Sequence, residues 1–177
     1  GGDGLSGTLG FVGGTGKQVV EIEMRNDTLL DLSGLTFTNW STSDEIRITG
    51  DAAGETILGS AQRDVVDAGD GIDSLSLGGG NDIVIVDETE IGDSYAGGDG
   101  VDQLLSTAGT VNLNVATLSG FEVLKMVGPG SHQVVLDSRQ FGSGLKLDAT
   151  LNFTGDAGAD TVIVNVSEAS FNASNLF

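Results

Sequence analysis

The chain has 177 residues, a net charge of −19 and no cysteine. That length fits one domain with a real core, and the missing thiols exclude cysteine catalysis, disulfides and zinc–thiolate sites. The charge disfavours nucleic acid and anionic membrane surfaces, which attract cations, and no stretch is long and apolar enough to cross a bilayer as a helix.

Twenty-nine glycines and one proline describe many turns and few rigid breaks, and no window sustains a helical period. In chain order, "GGDG" at 1–4 reads as the tail of an earlier repeat, and we expect the chain to be a piece of a longer protein. "GGTGK" at 13–17 imitates a phosphate-binding loop. Phe11 stands at its first glycine position and Gln18 replaces Ser/Thr, so that reading is rejected. Strand-like runs follow at 19–48: VVEIEM, LLDLSGLTF and EIRI. Trp40, in "FTNW", is read as a capping or core residue rather than a platform for sugar rings.

A nine-residue unit begins at 50. Its rows are GDAAGETIL (50–58), GSAQRDVVD (59–67), AGDGIDSLS (68–76) and LGGGNDIVI (77–85), with an acid at position six: Glu55, Asp64, Asp73 and Asp82. Position eight is always apolar: Ile57, Val66, Leu75 and Val84. After the break VDETEIGDSYA the unit returns as GGDGVDQLL (97–105), with Asp102 at position six. Asp93 lies inside the break, which behaves as a two-residue insertion. Between Asp51 and Asp102 stand thirteen acidic residues and one basic residue, Arg63. Runs without the unit follow at 111–153 (VNLNV, FEVLKM, QVVLD, LKLDATLNF), and one more unit, GDAGADTVI, occupies 155–163 with Asp160 at position six. His132, the one histidine, sits in a "GPGSH" turn and is expected at the surface rather than as a base.

Such a unit has a physical reading. A glycine-rich hexapeptide makes a tight turn, and x-apolar-x makes a short strand whose middle side chain points inward. Two units close one coil of eighteen residues, and stacked coils form parallel sheets about 4.8 Å apart per coil. Asp64 then stacks near Asp82 and Asp73 near Asp93. Carboxylates about 10 Å apart repel by roughly 0.4 kcal/mol in water, and by more at lower dielectric. Carboxylates with turn carbonyls describe a hard-cation site, and calcium suits six to eight flexible oxygens better than magnesium.

The units resemble the G-G-x-G-x-D-x-U-x repeat of RTX (hemolysin-type) calcium-binding proteins; LGGGND and GGDGVD are the closest matches. The resemblance covers about 50–105, and 155–163 once. It implies an all-β fold, a right-handed parallel β-roll or β-solenoid, with calcium-binding coils at 50–105 and a further coil at 155–177; the economical reading of the flanks at 11–49 and 106–154 is wider, calcium-free coils of the same solenoid, and the rival reading is a small β-sandwich on each side. The resemblance implies several calcium ions held by the carboxylates of Asp64, Asp73, Asp82, Asp93, Asp102 and Asp160 and by carbonyls at Gly69, Gly71, Gly78, Gly80, Gly98 and Gly100. Glu55 replaces the usual aspartate, and Ala53 and Gln62 stand where glycine is usual, which predicts weaker sites in those two units.

The resemblance also implies a non-enzymatic structural module of a secreted or cell-surface Gram-negative protein, adhesin-like, exported by type I machinery and folding outside. Its partners would be calcium, the rest of the parent chain and an extracellular polysaccharide or surface. Two further readings are an accessory, carbohydrate-binding or secretion-folding module of a secreted epimerase, lyase or protease, and a β-helical enzyme. Only seven basic residues disfavour a face that binds polyanions, and no acids and bases converge outside the nine-residue register.

Overall fold

The computed structural model describes residues 9–87, 91–141 and 152–167. The fragment at 1–4, most of LKLDATLNF and the end of the 155–177 segment lie outside the described residues. Among those described, the protein is all-β: short strands, one 3-10 turn at Ser138–Gln140 and no α-helix.

Every strand pair is parallel, and the chain returns to the same sheet tier by tier, consistent with a β-roll. The larger sheet runs, in space, Asn152–Thr154, Val123–Met126, Gln103–Ser106, Ile83–Val86, Asp64–Asp67, Glu45–Thr49, Val19–Glu23. The second runs Thr117–Ser119, Ser94–Ala96, Ser74–Ser76, Thr56–Leu58, Leu29–Asp31. Successive strands in each sheet are thus neighbours in space, and strands from 19–49 and 123–154 pair directly with those of the repeat region. A third parallel sheet joins Thr110–Asn112, Gln133–Asp137 and Thr161–Asn165.

The register shows why nine residues recur. Val65 pairs with Ile83 and Thr56 with Ser74, eighteen residues apart, or two units per tier. Across the break, Ile83 pairs with Gln103 and Ser74 with Ser94, twenty apart, so two extra residues are absorbed without loss of pairing. Position eight therefore falls on top of itself. Ile22, Ile48, Val66, Val84, Leu104, Leu124 and Phe153 form one inward column. Leu30, Ile57, Leu75, Tyr95 and Leu118 form a second, facing column. Nearly all of these side chains are buried, and they make one continuous core. Near the first strands, Phe11, Phe37 and Trp40 pack ring against ring with centroids 5.0–6.3 Å apart.

Tier-on-tier stacking also explains where glycine is needed. Gly80 and Gly100 both adopt φ +148°, and they pair in a two-residue parallel ladder. A Cβ on Gly100 would lie 1.6 Å from the Gly80 carbonyl oxygen, and one on Gly80 would lie 2.6 Å from that of Gln62. Gln62 and Ala53 keep ordinary φ and lie beneath Gly80 and Gly71. Their lack of glycine thus reflects their place in the stack. Gly100→Ala should accordingly destabilise the protein by more than about 1 kcal/mol, because both the φ and the space are wrong. Gly109→Ala, with open space around it, should stay within about 0.5 kcal/mol. Denaturant midpoints of the two variants check the contrast.

Candidate metal centre

The turns between the strands present the position-six acids to the tier before them. The Oδ1 of Asp73 accepts the backbone N–H of Glu55 at 2.7 Å, and the Oδ1 of Asp93 accepts that of Asp73 at 2.8 Å. On the other edge, Asp82 accepts from Asp64 N–H at 2.8 Å and Asp102 from Asp82 N–H at 2.9 Å. Each acid is thus tied to the residue at its own position one tier earlier. Glu55, Asp64, Asp73, Asp82, Asp93 and Asp102 are all buried, at 2% exposure or less.

In Asp73, Asp82, Asp93 and Asp102 one carboxylate oxygen is spent on that bond, whereas Asp64 accepts from the N–H and hydroxyl of Ser60 in its own turn. The Oδ2 atoms of Asp73, Asp82 and Asp102 and both carboxyl oxygens of Glu55 are fully buried without a hydrogen-bond donor. Among the described residues no ion pair reaches Asp64, Asp73, Asp82 or Asp102. Gly69, Gly71, Gly78 and Gly98 each pack so tightly against a backbone carbonyl of the earlier tier, those of Asp51, Ala53, Ser60 and Gly78, that a Cβ there would clash. The polar atoms that the position-six side chains bring into these turns are thus oxygens, several of them buried without a partner.

Burial sets the protonation of these acids. It pushes Asp64 up to about 7, against the N–H and hydroxyl of Ser60. Asp82 rises to about 8, by burial first and then by the charges of Asp64 and Asp102, against the bond from Asp64 N–H. Burial and the charges of Asp73 and Asp51 raise Glu55 to about 7. Asp73 and Asp102 are raised by the same cause. Each acid ionises reluctantly unless a cation arrives, so protons and cations compete for the same oxygens.

Two residues extend the pattern beyond the sequence reading. Glu122, one tier further on, accepts the Asp102 backbone N–H at its Oε2 at 2.7 Å. Its signal was the spacing of twenty residues from Asp102, repeating the twenty from Asp82. His132, expected at the surface, is instead 4% exposed. Its N–H donates to Asp160 Oδ1 at 3.1 Å, and its ring Nδ1 lies 3.0 Å from the same oxygen. It stands at position six of an unrecognised unit, VGPGSHQVV at 127–135, and its burial follows from that register. Asp160 therefore faces an imidazole rather than another acid, and that ring holds its carboxyl below the usual carboxylate range. His132, Asp156 and Asp160 each offer one ligand atom within 4.8 Å of the others, a group that could hold a metal ion.

No family model matches the chain, and neither a curated protein nor a solved structure matches it.

The raised acids carry a pH dependence whose sign is fixed. Their native affinity for protons exceeds that of the unfolded chain, so their contribution is complete below about pH 4 and is lost as pH rises through 7 to 8. For Asp64 alone, a rise from 3.8 to about 7 corresponds to roughly 4 kcal/mol. In chelator, denaturant midpoints should fall steadily from pH 5.5 to about 8.5, above the sequence pI of 4.1. Asp82→Asn keeps the acceptor for Asp64 N–H and removes the buried charge. It should be more stable than the wild type in chelator at about pH 8.5, by about 1 kcal/mol or more.

Proposed function

We propose that this chain is a calcium-binding, calcium-stabilised segment of a secreted or cell-surface bacterial protein of the RTX kind, adhesin-like and without enzymatic activity of its own. The observation that carries this reading is the row of buried carboxylate oxygens with no hydrogen-bond donor, in turns that repeat at the nine-residue register. Asp64, Asp73, Asp82, Asp93 and Asp102 would hold the ions, with carbonyls of the glycine turns completing the oxygen shell. The bound cation would supply the positive charge that the amino-acid sequence withholds from these turns. The sheets that run from 19–49 through the repeats to 123–154 support one right-handed solenoid, in which the flanks are wider tiers of the same stack. Its neighbours would be the remainder of the parent chain, and its surroundings the calcium-rich exterior of a Gram-negative cell.

The reading implies folding after export. In calcium-poor cytosol the acids repel one another and their inner oxygens lack a partner, which favours a loose, exportable chain. Extracellular modules bind calcium at about 10⁻⁴–10⁻³ M. At about 10 mM calcium and a dissociation constant of about 10⁻⁴ M, each site adds roughly 2.7 kcal/mol. Circular dichroism and thermal melts in chelator and then in calcium should show a large gain in β-signal and melting temperature. An identical signal and melt in both conditions would overturn the proposal. Calorimetric titration refines it. Asp82→Ala, in the middle of the stack, should lower calcium stoichiometry and stability in calcium more than Glu55→Ala at its edge.

A further inference from the structure

The acidic turns do not account for His132. Its side chain is almost wholly buried, and its ring edge lies against the Gly128 turn. Its Nδ1 faces the Asp160 carboxylate at 3.0 Å. A carboxylate oxygen accepts, so Nδ1 carries the proton in the ion-free ring, and Nδ1 is the ring nitrogen placed to share an ion with Asp160 once that proton moves to Nε2. The turn beside Nε2 is left open by Gly128: at φ +134° its Cβ would come within 3.1 Å of that nitrogen.

Asp156 completes the group. Its Oδ2 accepts Gly128 N–H at 2.7 Å, its Oδ1 accepts Gly158 N–H at 3.0 Å, and its own N–H donates to Asp160 Oδ2 at 2.9 Å. The carboxylate is thus held by two turns that flank the imidazole, while its side chain stays exposed to incoming ions. Three ligand atoms within 4.8 Å of one another need only a small closure to reach one ion at about 2.0–2.2 Å from each.

We propose that His132, Asp156 and Asp160 form a site for a borderline divalent metal of the zinc or cobalt type, distinct in ion preference from the all-oxygen turns. An imidazole nitrogen is a poor ligand for calcium and a good one for late first-row metals. The inference stands apart from the calcium reading of residues 50–105, with which it shares no residue; Asp160, which the repeat resemblance implies as a calcium ligand, is assigned here instead to the histidine site. Loading exchanges the Nδ1–H···Asp160 hydrogen bond for two bonds to the ion, the ring proton moving to Nε2, and leaves the backbone N–H bonds to the two carboxylates in place.

Because His132 is the one histidine in the chain, its ring proton resonances report the site directly. The full chain, kept free of chelator, is titrated with Zn²⁺ and followed by proton NMR, with and without excess calcium. A parallel Co²⁺ titration is followed by visible absorption. One equivalent of Zn²⁺ should shift the imidazole signals, Co²⁺ should give d–d bands, and calcium should produce neither. His132→Asn should weaken Co²⁺ uptake at least about tenfold. Asp156→Asn, an exposed change that leaves the core untouched, should weaken it similarly, while Asp82→Asn should leave it unchanged. An imidazole indifferent to Zn²⁺, displacement of Co²⁺ by equimolar calcium, or full Co²⁺ uptake by His132→Asn would each overturn the proposal. Failure of calcium to stabilise the fold, with the imidazole shift intact, would refute only the calcium reading.

Discussion

The structure depends on one repeated contact: a backbone N–H of one tier given to a carboxylate of the next. It joins Glu55 to Asp73 and Asp73 to Asp93 on one edge, and Asp64, Asp82, Asp102 and Glu122 in series on the other. The same device appears in the flanks, where Asp44 accepts Gln18 N–H at 2.6 Å and Asp51 accepts Asn26 N–H at 2.7 Å. Parallel strands satisfy one another along the sheets, but the turns between them leave N–H groups that no strand can reach. A short acidic side chain placed just before each strand reaches them. That requirement fixes the acid at position six and the spacing between acids at whole tiers.

The contact sets two forces against each other. The apolar columns and the N–H bonds favour stacking; hydrogen bonds to charged groups contribute about 1.5–3 kcal/mol each. Burying the remaining carboxylate oxygen without a partner costs several kcal/mol per ionised group. The balance is unfavourable while the acid is charged and alone, and favourable once a proton or cation neutralises it. The stack is therefore sensitive to pH, and on the calcium reading proposed above it would be sensitive to cation concentration as well.

The repeat was legible in the sequence because its period is short and its chemistry regular. The rows at 50–85 and 97–105 placed the strands, the inward residues at position eight and the pairing of Asp64 with Asp82 and Asp73 with Asp93. What the acids do with the N–H groups of the earlier tier was not legible, since it is a contact between residues eighteen or twenty apart. Glu122 and His132 escaped for a related reason. Their tiers lie beyond insertions, at steps of twenty and twenty-eight residues, and neither carries aspartate at position six. In the flanks, tiers of 26 and 27 residues (Val19 to Glu45, Leu29 to Thr56) leave no short period to read, so their membership of the same sheets emerges only from strand pairing.

Glu45 shows that the unpartnered oxygens of the turns are not forced on the chain by a shortage of basic residues. Glu45 is also buried, yet Lys17 lies 2.8 Å away, Arg47 2.6 Å and Arg63 3.8 Å. Burial raises its pKa, but those cations outweigh it and leave the carboxyl below its ordinary range. Three of the chain's seven basic residues thus neutralise one acid on the larger sheet, permanently and from within. Asp64, Asp73, Asp82 and Asp102 form no ion pair among the described residues and are raised instead. On the calcium reading proposed above, an exchangeable cation in the turns would make folding follow the solvent, whereas Glu45 is neutralised from within the chain.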